Sequence, residues 1–377
     1  MDWLNEGLAT KNAFRKERPP MSVKLPNHAP DEYCSLISRG AQEDPIGTAP
    51  QHRRYLFVEV PQPWERKAAD SRHFPAGLKE TLARCEEKCL VSGGKFRFLS
   101  FSSDTLCSPA GHVRVFYFWR PDFPCSRYLK KEYVVPEREL NHLVEALLLE
   151  EGGRVSGFDQ WLQPSEGIRE LFVCTHGSHD RCCGRFGVQA YRFVETEYGG
   201  EAVGTRGEGA VAGAAEGAAT GSASPGEPIR VWRTSHIGGH RFAPTLIDFP
   251  EGRYWAYADE DMLRKLIERK GSAAGIAGHL RGWSKIGRLE QVAERELFRR
   301  FGWDWIRYEK HAEVIQGDGE SAPALVRIRY RSPEGVQGEY LAEVICSGKV
   351  RVGGCGGEWK ETNQYSVRPL EDRFAGR

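Results

Sequence analysis

The chain has 377 residues, enough for more than one hydrophobic core. Its 53 Lys+Arg balance 52 Asp+Glu to a formal charge of +1, which excludes the basic footprint of a nucleic-acid or anionic-membrane binder. No apolar run approaches the roughly 18 residues of a membrane-spanning helix, and the first residues carry no apolar stretch of a secretory signal, so a cytoplasmic protein without membrane partners is expected. In a reducing cytosol the ten cysteines favour metal ligation over disulfides.

Residues 1–30 are polar and contain prolines, which predicts a loose arm. From Arg54 a regular order emerges. Residues 55–60 (YLFVEV) predict a strand, 77–89 an amphipathic helix, 95–101 and 112–119 two strands, 128–135 another, and 137–151 a helix with apolar residues at helical spacing. The order then recurs. Residues 168–173 predict a strand and 184–198 a helix. A strand follows at 229–234, then a hairpin at 245–257 across Pro250-Glu-Gly252, and a helix at 259–270 with Asp259 as its N-cap and Gly271 as its C-cap. Both halves read β-α-β-β-β-α. We therefore expect an α/β protein of two tandem thioredoxin-like units, at 31–155 and 165–271. The run 199–228 is rich in Gly, Ala and Ser and lacks bulky apolar residues, so it predicts a disordered surface insertion. Residues 272–377 predict a small α+β appendage. Its helix, 288–301, carries an apolar stripe at Leu289, Val292, Ala293, Leu297 and Phe301, and strands at 324–330 and 339–346 pair around Ser332-Pro-Glu-Gly335.

Two stretches concentrate soft metal ligands: Cys174-Thr-His-Gly-Ser-His-Asp-Arg-Cys-Cys183 and His236-Ile-Gly-Gly-His240. Each follows a predicted strand and reads as a loop at its C-terminal end. Together they offer two thiolates and two imidazoles, a donor set for a [2Fe–2S] cluster or a zinc ion. The helix expected near Gly184 would favour a thiolate at Cys183 through its N-terminal N–H groups. Asp180 would cap that helix or support a ligand histidine. Gly238-Gly239 suits a loop closing tightly around a bulky group.

At these residues the chain resembles the sucrase/ferredoxin-like family, in the run CTHGSHDRCCG and in HIGGHRFAP. Asp44-Pro-Ile-Gly-Thr48 and Val60-Pro-Gln-Pro-Trp64 also look familial. The resemblance implies a thioredoxin-like ferredoxin whose [2Fe–2S] cluster is held by two cysteines and two histidines. Here these match Cys174, Cys183, His236 and His240, with Cys182 an alternative to Cys183. It implies a redox carrier rather than a stand-alone enzyme, exchanging electrons with a redox-protein partner. The cluster would sit in the second unit; the first, without such loops, is expected to be structural or to serve docking.

Rival readings remain in view. The same four donors could hold a structural zinc in a binding module. The family's name suggests a sucrose hydrolase, but sequence alone singles out no pair of carboxylates for glycoside hydrolysis. Cys174-Thr-His176 mimics half of a Rieske site, whose second half, C-x-x-H, is missing after Cys182 or Cys183. His176 and His179 fit equally well beside the site or on the surface. Arg241 would hydrogen-bond the cluster region or a partner's carboxylate. Cys346 and Cys355 repeat the nine-residue offset of Cys174 and Cys183 without a histidine pair; they read as free thiols, with a second metal or redox role as the weaker reading, and Cys34 gives no usable signal.

Overall fold

The computed structural model describes residues 33–375 apart from 92–94, 151, 200–226, 354 and 356–359. The expected arm at 1–30 and nearly all of the expected insertion lie outside the described residues. The described chain forms, in order, α1 (Cys34–Gly40), β1 (Arg54–Glu59), α2 (Leu78–Val91), β2 (Phe96–Ser102), β3 (His112–Trp119), β4 (Leu129–Pro136), α3 (Leu140–Leu148) and a single turn, α4 (Gly152–Val155). Then come β5 (Arg169–Cys174), α5 (Val188–Tyr198), β6 (Ile229–Thr234), β7 (Leu246–Phe249), β8 (Arg253–Trp255), α6 (Glu260–Glu268) and β9 (Leu280–Trp283). The remainder is α7 (Arg288–Phe301), β10 (Glu309–Gln316), β11 (Ala324–Arg331), β12 (Gln337–Val352) and β13 (Lys360–Ala375).

The fold is mixed α/β. Among the described residues a nine-stranded sheet has the order β4-β3-β1-β2-β6-β5-β7-β8-β9, and a separate antiparallel sheet has the order β10-β11-β12-β13. Two pairs in the large sheet are parallel, β1 with β2 and β5 with β6, each joined through a helix as such crossovers require. The first four strands of each half share one arrangement: a parallel pair, then two antiparallel neighbours. The halves meet edge to edge where β2 and β6 pair over only Phe101↔Thr234 and Ser102↔Arg233.

At that short seam the sheet curls. Phe57 on β1 and Phe172 on β5 are three strands apart, about 14 Å in a flat sheet. Their rings nonetheless stack at 3.9 Å, and Phe118 on β3 stacks on Phe249 of β7 at 4.0 Å. The two half-sheets thus face each other across an aromatic layer. Strand alternation supplies it: Tyr55, Phe57, Phe101, Phe116, Phe118, Phe172, Trp232 and Phe249 point inward. The intervening residues Leu56, Val58, Val115, Leu171, Val173 and Val231 point outward, under the helices. Each aromatic ring removes a large apolar area from water, and offset or edge contacts add about 0.5–1.5 kcal/mol per pair.

Several boundaries depart from the sequence expectations. Asp259 caps α6 as expected, its carboxylate accepting from the Met262 N–H at 3.1 Å. The C-cap is Arg269 at φ 48°, however, not Gly271. The guanidinium of Arg269 is ion-paired with buried Glu251 at 2.8 Å, which holds a non-glycine residue in the left-handed region. Beyond the expected boundary at 271, β9 pairs with β8 and completes the large sheet. β12 runs well past Cys346, and β10 and β13 add two strands to its sheet. That sheet turns Ala324, Val326, Ile328, Ala342 and Val344 onto Val292, Leu297 and Phe298 of α7. No helix among the described residues is long and apolar enough to cross a membrane.

Candidate metal centre

Two parallel neighbours position the centre. β5 ends at Cys174 and β6 at Thr234, paired in register, so both ligand loops leave the same end of the sheet. After the first loop the chain enters a wide π-type turn, Cys183–Gly187, before α5 begins. Such turns recur at functional sites. Gly187 lets this turn lie against the strand end; a Cβ there would fall 1.9 Å from the Cys174 carbonyl oxygen. The second loop bends at Gly238 and Gly239, both in the left-handed region, and a Cβ on Gly239 would collide with the Arg281 guanidinium.

This geometry gathers Cys174, Cys183 and His236. Their ligand atoms all lie within 4.8 Å of one another. His236 Nδ1 is 4.0 Å from Cys174 Sγ and 3.7 Å from Cys183 Sγ. Both sulfurs are buried, at the edge of the aromatic layer. The Cys183 thiol hydrogen-bonds Cys174 and holds it well below the ordinary thiol range, while the same bond, with burial, pushes Cys183 well above it.

His240 is placed differently. Its ring centroid is 5.9 Å from that of His236, and its Nδ1 lies 3.0 Å from Asp180 Oδ2 and 3.1 Å from Cys34 Sγ. Asp180 also accepts from the Cys182 N–H at 2.8 Å, but it does not serve as the expected helix cap: neither the π-type turn nor α5 has a side-chain cap. Cys182 points away from Cys183, into a second cluster with Cys34 and Cys355. Arg241 pairs with buried Glu43 at 2.8 Å.

His176 holds the second loop from behind. Its Nδ1 accepts the His236 backbone N–H at 3.1 Å, and its Nε2–H donates to the Glu65 carbonyl at 2.7 Å. Those two partners fix the neutral tautomer, and burial lowers its pKa in agreement. His179 stacks on the His236 ring at 3.9 Å. The N-terminal half takes part through the segment after β1. Gln62 donates to Thr175, Trp64 packs edge-on against His176, and the Trp64 carbonyl accepts from Ser178. From β2, Arg97 donates to the His236 carbonyl at 2.9 Å.

Sequence reasoning missed Arg281. It is buried at the start of β9 and donates to the carbonyls of Gly238 at 2.9 Å and Thr48 at 2.8 Å. Burial pushes its guanidinium down to about 10, still charged at neutral pH, and the sulfurs of Cys174 and Cys183 pull it back up. It is a fixed positive charge beside two thiolate positions. An arginine inside a short apolar strand carries no local signal of that role.

The sucrase/ferredoxin-like family model matches residues 45–282 of the 377. The matched span holds both ligand loops, the Gln62–Glu65 segment and Arg281. No curated protein and no solved structure matches the chain. On the extent of that match, the chain belongs to the sucrase/ferredoxin-like family.

Proposed function

We propose that the protein is a one-electron carrier whose [2Fe–2S] cluster is held by Cys174, Cys183, His236 and His240, in the second of two thioredoxin-like units. The observation that carries this reading is the convergence of two buried sulfurs and a histidine nitrogen within 4.8 Å, from loops separated by some sixty residues. The donors suit the group: thiolate and imidazole are iron–sulfur ligands, and a buried arginine offsets their charge. His240 supports the set in a specific way. With Nδ1 on Asp180, Nε2 is the nitrogen left to donate to metal, the carboxylate–histidine–metal arrangement that orients ligand imidazoles.

When bound, such a cluster supplies a centre that takes up and releases one electron. The chain's own residues set its conditions. Two neutral imidazoles in place of thiolates leave less negative charge and favour a higher potential than four cysteines would. The Asp180 carboxylate holds the His240 ring by its Nδ1. Phe101, Phe172 and Trp232 exclude water behind the sulfurs. The rim, with exposed Gly177, Ser178 and Arg181 and the half-buried histidines, gives a redox-protein partner a small docking face.

Purification without oxygen tests the reading. The protein is expected to be coloured, with two irons and two acid-labile sulfides per chain. A colourless protein carrying zinc on Cys174 and Cys183 would overturn it.

A further inference from the structure

Beside this centre lies a second cluster whose three sulfurs the proposed function does not use. Cys34 opens α1, Cys182 precedes the π-type turn, and Cys355 lies between β12 and β13. Their sulfurs close a triangle of 3.5 Å (Cys34 to Cys182), 3.2 Å (Cys182 to Cys355) and 3.4 Å (Cys355 to Cys34). A carboxylate oxygen of Asp180 joins them, with all four ligand atoms within 4.8 Å of one another. Cys34 and Cys182 are buried and Cys355 is half buried. Tyr33, Leu36, Phe186 and Ala243 wall the site with apolar surface.

We propose that Cys34, Cys182, Cys355 and Asp180 form a second metal site, for a zinc ion, beside the iron–sulfur centre and touching it through the contacts of His240 with Asp180 and Cys34. Thiols are weak hydrogen-bond donors, so three of them in mutual contact gain little from one another. A soft divalent cation would satisfy all three at once. Three sulfurs and one oxygen make a four-donor set of the closed, structural kind, and zinc–sulfur bonds of about 2.3 Å imply sulfur–sulfur edges of about 3.8 Å. The observed triangle is tighter, and its edges need to open by about 0.3–0.6 Å. The donors come from three parts of the chain that are distant in sequence. A metal here would clip α1 and the β12–β13 connection onto the loop that carries Cys183. Cys34 and Cys355 both fall outside the span 45–282 that the family model matches, while Asp180 and Cys182 fall within it.

The test is metal analysis of the full chain, produced with zinc and purified under anaerobic conditions, beside Cys34→Ser, Cys355→Ser and Cys174→Ser. One zinc per chain is expected in the unaltered protein. Cys34→Ser and Cys355→Ser should lose it and keep two irons and two sulfides; Cys174→Ser should lose iron and keep zinc. Cobalt added in place of zinc should give the intense visible bands of a tetrahedral thiolate site, absent in Cys355→Ser. That variant changes only a half-buried loop position, so it stays informative if Cys34→Ser fails to fold. Zinc unaffected by either substitution would overturn the proposal. So would zinc lost with Cys174→Ser alone, or a disulfide among the three cysteines after anaerobic alkylation and peptide mapping.

Discussion

Cys174 and Cys183 ionise as a coupled pair, which bears on how the proposed centre would be filled. Burial and mutual hydrogen bonding let one sulfur ionise at the expense of the other. Binding metal through both requires both thiols to lose their protons, so affinity should rise with pH. Iron uptake by the metal-free chain is expected to be weaker at pH 6 than at pH 8; equal uptake would contradict ligation through both sulfurs. Asp180 gives a second test. Its carboxylate oxygen lies 3.0 Å from His240 Nδ1. In Asp180→Asn, the electron paramagnetic resonance signal of the reduced protein should shift as His240 loses that anchor, and an unchanged signal would separate Asp180 from the ligand set. At this scale Cys174, Cys183 and His236, which the structure gathers, were legible because they sit in two dense motifs, whereas His240, expected with them, stands apart on Asp180 and Cys34. Arg281, Cys34 and Cys355 were not legible. Each is an ordinary residue in its local sequence and acquires meaning only through contacts across the fold.

The π-type turn between β5 and α5 is the element on which the centre depends most. It brings Cys183 back onto Cys174, and Gly187 permits the approach. In Gly187→Ala the new methyl would meet the Cys174 carbonyl, so the turn must move away. We expect a loss of about 1–3 kcal/mol of stability, the usual cost of overpacking, with reduced cluster occupancy. Urea denaturation and iron content check both; a variant with normal occupancy would show that the close approach is dispensable. The strands of the large sheet other than β9 were readable from their β-branched and aromatic runs, and α7 matched its predicted span of 288–301 because its apolar stripe is continuous. The turn itself was not, since one residue more or less per turn leaves no trace in apolar spacing. β9 is four residues long, and β13 (KETNQYSVRPLEDRFA) alternates too poorly to be recognised.

For the molecule as a whole, the curled sheet is what makes the N-terminal half part of the centre. The repeated element order was visible in the sequence. The aromatic layer was not, because its rings come from strands far apart in the chain and meet only once β2 and β6 pair. Burial of charge has a cost at this scale. Lys285, buried over the Tyr128 and Trp283 rings with Cys125 Sγ at 3.5 Å, is pushed down to about 7 by desolvation. An unfolded lysine keeps its proton to about 10.5. Between these values the unfolded chain binds more protons, so the contribution of this group to stability rises as pH rises from 7 towards 10. Urea midpoints of the unaltered protein should increase over that window relative to Lys285→Met; parallel curves would contradict the buried neutral amine. The most direct measurement of the central claim is electron paramagnetic resonance of the reduced, anaerobically purified chain beside Cys183→Ser and Cys182→Ser. The account predicts a [2Fe–2S] signal that Cys182→Ser preserves and Cys183→Ser abolishes or alters. A signal lost in Cys182→Ser and unchanged in Cys183→Ser, or none in the unaltered protein, would contradict it.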